Sequence, residues 1–178
     1  MNVISELTIK RIKQTPASST PQVREARSQE LNLHLPPSPK MITGLHHINL
    51  VVPPDTLDAA AAFYGATLGL TPRAVPALQA GTLLWFDIGA SGQQVHVAFG
   101  QPEDFSFDSR RHPCFRLADG AALLALQRRI YAHLEAGGVG APKAADQPGE
   151  TNSGAQGVEY PERFFARDYA GNRLEFTL

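Results

Sequence analysis

The stretch Gly44-Leu-His-His-Ile-Asn-Leu-Val-Val52 alternates apolar and polar residues. Ile48, Leu50 and Val52 fall on every second position, and the two-residue period of an extended strand puts all three on one packed face. His47, Asn49 and Val51 then point the other way. An imidazole on that face either meets solvent or lines a cavity, and the later strands decide between the two.

Upstream of this stretch the composition changes. Thr15 to Gln22 is rich in Pro, Ser and Thr, and Leu35-Pro-Pro-Ser-Pro39 excludes regular structure. Residues 1–40 are therefore expected to form a flexible N-terminal tail, with a short helix around Val23 to Leu33, and the domain is expected to begin at Met41. Three glutamates in the tail count against a basic organelle-targeting segment, and no signal-peptide pattern is present.

Apolar residues make up 43% of the chain and charged ones 19%, which is the balance of a soluble globular protein with one core. The net charge of −1 gives no electrostatic reason to bind nucleic acid or an acidic membrane. The single cysteine, Cys114, forms no internal disulfide, and no apolar run approaches the ~20 residues of a membrane span. A cytoplasmic protein is expected.

Downstream, Pro53-Pro54-Asp55-Thr56 ends the strand, with Asp55 or Thr56 placed to cap a helix. Leu57, Ala60, Ala61, Tyr64 and Leu68 recur at helical spacing until Gly69. After Thr71-Pro72 an irregular, Ala- and Pro-rich strand or loop runs to Ala80. Thr82 to Gly89 and Gln93 to Phe99 read as a hairpin around Ala90-Ser-Gly92. After a polar linker, Gly100 to Arg111, the pattern starts over. His112 to Leu117 is a short strand, and Asp119 caps a helix with the stripe Leu123, Leu126, Ile130 and Leu134, ending at Gly137-Gly138. A loop-rich stretch, Ala141 to Tyr160, leads to two closing strands, Pro161 to Asp168 and Arg173 to Leu178. The chain thus reads as α+β, with two βαβββ modules, about 41–100 and about 111–178. Gly92-Gln-Gln-Val-His-Val97 overlays Gly171-Asn-Arg-Leu-Glu-Phe176 without a gap and sets His96 on Glu175.

Strand parity then singles out four side chains. Val95, Val97 and Phe99 pack, so His96 faces away. Phe115 and Leu117 pack, so His112, Cys114 and Arg116 face away. Leu174, Phe176 and Leu178 pack, so Glu175 faces away with Arg173 and Thr177. If the two sheets curl so that these faces meet, His47, His96, His112 and Glu175 form a set of nitrogen and oxygen donors suited to one divalent first-row metal (Fe, Zn, Mn, Ni or Co). A single strand histidine is more often solvated, and only the four agreements together carry weight. His46 falls on the opposite face and reads as structural or rim-exposed, and His133, beside the helix stripe, reads as solvent-facing. Arg110-Arg111 reads as a charged loop, Arg167 as a structural residue pairing with Asp168, and Cys114 as packing.

Three motifs, Gly44-Leu-His-His-Ile-Asn-Leu-Val-Val, Ala62-Phe-Tyr-Gly-Ala-Thr-Leu-Gly-Leu70 and Asp168-Tyr-Ala-Gly-Asn-Arg-Leu-Glu-Phe176, resemble the vicinal-oxygen-chelate superfamily. This group includes glyoxalase I, bleomycin-resistance proteins, fosfomycin-resistance enzymes, methylmalonyl-CoA epimerase and extradiol dioxygenases. The resemblance covers about residues 41–178. It implies paired βαβββ modules forming curled mixed sheets around a metal-binding cavity, commonly in a homodimer. It also implies His47, His112 and Glu175 as ligands, with His96 in the fourth ligand position. Glyoxalase I is expected to hold Glu or Gln where His47 and His96 stand, so the chain looks most like the short glyoxalase-like members.

Two functions follow as expectations. One is a metal-dependent enzyme of the glyoxalase/dioxygenase type, a lyase, isomerase or ring-cleaving dioxygenase acting on a small oxygen-chelating metabolite. In it Glu175 is ligand or proton carrier, and Asn49, Trp85, Arg116, Tyr160 and Arg163 are candidate substrate contacts. The other is a metal-free drug- or metabolite-binding protein of the bleomycin-resistance type, with Trp85, Phe86, Phe164 and Phe165 as its aromatic walls.

Overall fold

The computed structural model describes residues 42–150, 153 and 162–178. The expected tail over 1–40, Met41 and Tyr160 lie outside the described residues. The alternating stretch forms β1, His47–Val52. A short α-helix, α1 (Leu57–Ala60), runs directly into a π-helical segment, Ala61–Thr67. Thr56 stands at the N-cap, but its hydroxyl donates back to the Pro53 carbonyl at 2.6 Å and caps nothing. Then come β2 (Thr71–Arg73), β3 (Leu83–Asp87) and β4 (Gln94–Phe99). The second half repeats the order: β5 (Cys114–Arg116), α2 (Gly120–Ala136), β6 (Ala144–Ala145), β7 (Arg163–Arg167) and β8 (Arg173–Thr177). Asp119 caps α2, accepting from the Ala122 amide at 2.8 Å.

Two four-stranded mixed sheets result, ordered β1-β4-β3-β2 and β5-β8-β7-β6. In each, the first strand of the module pairs in parallel with the last, and the remaining pairs are antiparallel. A parallel pair needs a long crossover, which the helix and the intervening strands supply.

The π-helical turn changes which residues are buried. Bonds reaching back five residues, such as Leu68 N–H to Phe63 O at 2.8 Å, widen the turn. Phe63 and Thr67 are therefore buried with Ala60, Tyr64 and Leu68, whereas Ala61, which an α-period would bury, is exposed. One hydrophobic core spans both modules: Val52, Phe63, Phe86, Val95 and Val97 share it with Leu126, Ile130, Phe164, Leu174 and Phe176. Polar bonds cross the same junction. The Tyr64 hydroxyl donates to Asp168 Oδ2 at 2.6 Å, and Asn172 Nδ2 donates to the Val51 carbonyl at 2.8 Å. Arg129 reaches the Leu68 carbonyl at 3.2 Å. His133, expected in solvent, is half-buried and bonded through Nδ1 to the Thr67 hydroxyl at 2.7 Å.

Candidate metal centre

The strand registers place the polar side chains. In the first sheet Asn49 lies opposite His96, and His96 opposite Trp85. In the second, Cys114 lies opposite Glu175, and Glu175 opposite Phe165. His96 and Glu175 therefore occupy equivalent positions on the fourth strand of their modules, as the gapless overlay implies, and Trp85 is the counterpart of Phe165.

The structure brings the four expected ligands together as two pairs. His96 lies between two parallel rings, 4.5 Å from Trp85 with planes 3° apart and 4.2 Å from His47 with planes 11° apart. A ring nitrogen offers its lone pair in the ring plane, so two imidazoles stacked in this way cannot aim at a common ion without rotation about χ2. The His96 Nε2 lies 3.1 Å from Gln94 Oε1, and His47 Nδ1 lies 3.2 Å from His46 Nδ1. Burial first, then the neighbouring His47 and His46 imidazoles, holds His96 below the ordinary histidine value.

The second pair is His112 and Glu175. The Nδ1 of His112 lies 2.6 Å from the Arg110 carbonyl, which only accepts, so Nδ1 carries a proton and donates it there. That fixes the ring and turns Nε2 toward Glu175 Oε2, 2.9 Å away. A neutral imidazole nitrogen and a carboxylate oxygen are both acceptors, so the approach suits either an extra proton or a cation between them. Two ligands bound about 2.1 Å from a first-row ion at roughly 90–109° lie about 3.0–3.4 Å apart, close to the observed separation. A backbone carbonyl orienting a histidine through its other nitrogen is also the usual outer partner of a metal-bound imidazole. The residues present therefore fit a divalent ion. The other Glu175 oxygen accepts from Arg163 Nη1 at 3.1 Å, which braces the carboxylate from behind. Among the described residues of one chain, no three His, Cys, Asp or Glu side chains converge to hold an ion.

The remaining candidates divide clearly. Asn49 is exposed on the His47 face of β1 and lines one cavity with His112. Arg116 is exposed on β5, beside Thr177 in register. Trp85 is half-buried, and its indole N–H, itself buried, has no hydrogen-bond partner among the described residues. Phe86 and Phe164 do not wall the cavity. Each is one residue out of phase with a cavity-facing neighbour, so both lie in the core. Arg167 does not pair with Asp168. It donates to the Gly171 carbonyl at 2.9 Å and the Ser109 carbonyl at 3.0 Å, with its guanidinium 4.8 Å from the Phe107 ring centroid.

Asp87 shares the His96 face, accepting from Gln94 at 2.8 Å and from Arg73. The Gln94 hydrogen bond, with help from Arg73, holds its carboxyl below the ordinary range and makes it a weak base. Cys114 is exposed as a residue, but partial burial of the thiol and then the Glu175 carboxylate push it up to about 11, so it is not a nucleophile at neutral pH. Reading by parity alone missed the Arg110 carbonyl as the device that orients His112. The signal was the polar Arg110-Arg111 run immediately before that histidine.

No family model and no curated protein sequence matches the chain. Solved structures do resemble it. A glyoxalase/dioxygenase from Nostoc punctiforme is 22% identical, with 78% of this chain and 92% of that one covered and a TM-score of 0.56. FosX, a fosfomycin resistance protein from Listeria monocytogenes solved with Mn(II) and a dihydroxypropylphosphonic acid, is 17% identical over 77% of this chain and 92% of that one, TM-score 0.56. TnmS3, an antibiotic binding protein from Streptomyces, is 18% identical over 77% of this chain and 96% of that one, TM-score 0.51. The chain has the vicinal-oxygen-chelate fold. At these identities the likeness extends to the fold, which is shared by enzymes and binding proteins alike.

Proposed function

We propose that the chain is a metal-dependent enzyme of the glyoxalase/dioxygenase type that acts on a small oxygen-chelating metabolite as a homodimer. The observation that carries this reading is the His112–Glu175 pair, with one imidazole nitrogen fixed on a carbonyl and the other turned to a braced carboxylate. His112 and Glu175 would hold one divalent first-row ion, and the partner subunit's His47 would supply a third donor. Two facts favour a shared site: His47 is exposed at the start of an edge strand, and no third donor of the same chain joins the pair among the described residues.

Such an ion, when bound, polarises two neighbouring substrate oxygens and lowers the cost of an oxyanion between them. The chain's own residues do the rest. Arg163 orients the Glu175 carboxylate, Asn49 offers an amide to a substrate oxygen, and the Phe165 ring packs edge-on to His112 at 5.6 Å and shields it.

The test is elemental analysis of untagged protein. We expect about one first-row metal per chain, lost in His112→Ala and in Glu175→Gln. A chain that holds no metal as purified and takes up none from iron, zinc, nickel, cobalt or manganese salts overturns the enzyme reading. The Trp85–His96–His47 stack, with its unpartnered indole N–H, favours a second reading in that event: a binding protein that receives a flat ligand on the stack.

A further inference from the structure

We propose that the molecule bound at this site carries a carboxylate or phosphonate-type anionic group, and that Arg173 and Arg111 hold that group in the cavity beside His112. This rests on the reading of the His112 side of the cavity as the substrate site.

The cavity has a volume of about 450 Å³ and lies between β1, the 104–113 loop and the turn that joins β7 to β8. Stepping the parallel β5–β8 register back by two residues from Cys114 and Glu175 sets His112 beside Arg173, and both line this space. Arg173 is half-buried, with its guanidinium 4.2 Å from the Phe165 ring centroid. The ring fixes the plane of the guanidinium and leaves its N–H fork free to act. Among the described residues no acceptor meets that fork, nor the side chain of Arg111. Asp104, the carboxylate in the lining, is committed to the Gln101 amide at 2.7 Å. Asn49 and Ser106 line the same space with side chains that have no partner among the described residues.

Arg167 supplies the contrast. It sits nearby with two carbonyl acceptors, and burial followed by the charge of Arg173 holds it below its ordinary value. Arg173 and Arg111, by contrast, present their charge to the cavity without a protein acceptor among the described residues. Two guanidiniums that line one cavity with N–H donors that no described protein group accepts favour an anion there, because a carboxylate or phosphonate accepts two parallel charge-assisted N–H bonds from such a fork. A neutral ligand offers carbonyl acceptors but leaves the positive charge uncompensated.

The test is calorimetric titration of the full chain with malonate, methylphosphonate and the neutral malonamide, in chelator-treated and in Mn(II)-supplemented protein. We expect malonate, methylphosphonate or both to bind the chelator-treated chain, and malonamide not to bind. The tighter of the two anions then names the head group. Arg173→Gln should lower that affinity about tenfold while the melting temperature holds, and Arg173→Lys should keep part of it. Equal binding of malonamide, no binding of either anion, or unchanged affinity in both Arg173→Gln and Arg111→Gln would overturn the proposal. Arginine-dependent anion binding by a chain that takes up no metal would overturn the metalloenzyme reading alone. Metal uptake without anion binding would overturn this inference alone.

Discussion

Asp168 is fully buried, and all its hydrogen bonds come from groups that must be placed by the fold. Oδ1 accepts from the Ala170 and Asn172 amides at 2.9 and 2.8 Å, and Oδ2 from Tyr64 at 2.6 Å and Asn172 Nδ2 at 2.8 Å. Burial still outweighs these donors and raises the carboxyl above the ordinary carboxylate range. Between the ordinary and the raised value, the folded chain keeps a proton that the unfolded chain has released. This contribution to stability therefore falls as pH rises through that window, and the penalty is complete above it. Tyr64→Phe removes one donor from the ionised form. It should cost about 1.5–3 kcal/mol where the carboxyl is ionised and less where it holds its proton, which urea midpoints measured across a wide pH range would show. A constant cost at every pH would mean that the tyrosine acts by packing alone. None of this was legible in the sequence, because Tyr64 and Asp168 lie 104 positions apart and periodicity carries no information about such a pair. His47, His96, His112 and Glu175 were legible as lying off the packed face of their strands, since parity is a local property of a strand. Their separation into a His47–His96 stack and a His112–Glu175 pair was not, because rotamers depend on partners such as Trp85 and the Arg110 carbonyl.

At the level of elements, strands with a clean alternation, such as His47–Val52 and Arg173–Thr177, followed the sequence closely. The short edge strand Ala144–Ala145 did not announce itself, and Thr71–Arg73 opens a stretch that reads equally as strand or loop. They lack an alternating apolar set and owe their strand conformation to the neighbour each pairs with. The junction between modules depends on one backbone feature after α2. Gly140 has φ +74°, and a Cβ there would run into the Ala59 carbonyl and the Ala62 side chain. Gly140→Ala should therefore destabilise the protein by about 2–4 kcal/mol, combining left-handed strain with overpacking. Gly149, at φ +84° with open space around it, is the control, and its alanine variant should cost about 1 kcal/mol. Equal shifts in the denaturation midpoints of the two variants would show that the approach to Ala59 carries no strain of its own.

On the scale of the whole molecule, the shared core and the Tyr64–Asp168 and Asn172–Val51 bonds tie the two modules of a chain together. If the metal site is built from two copies, defects in different donors should complement one another. Mixing unfolded His47→Ala and Glu175→Gln chains in equal amounts and refolding them gives half heterodimers, each with one intact site. About a quarter of wild-type metal content or activity should return in this way. No recovery would place all donors within one chain. Among the described residues no helix is long and apolar enough to cross a membrane. Trp85 is the single tryptophan of the chain, and it lies flat against His96. A protonated imidazole takes an electron from excited indole, whereas a neutral one does so far less readily. The emission of this protein is therefore a gauge of the open face of the first sheet: its brightness follows the charge on one histidine, and anything that slips between the two rings changes the signal without a label.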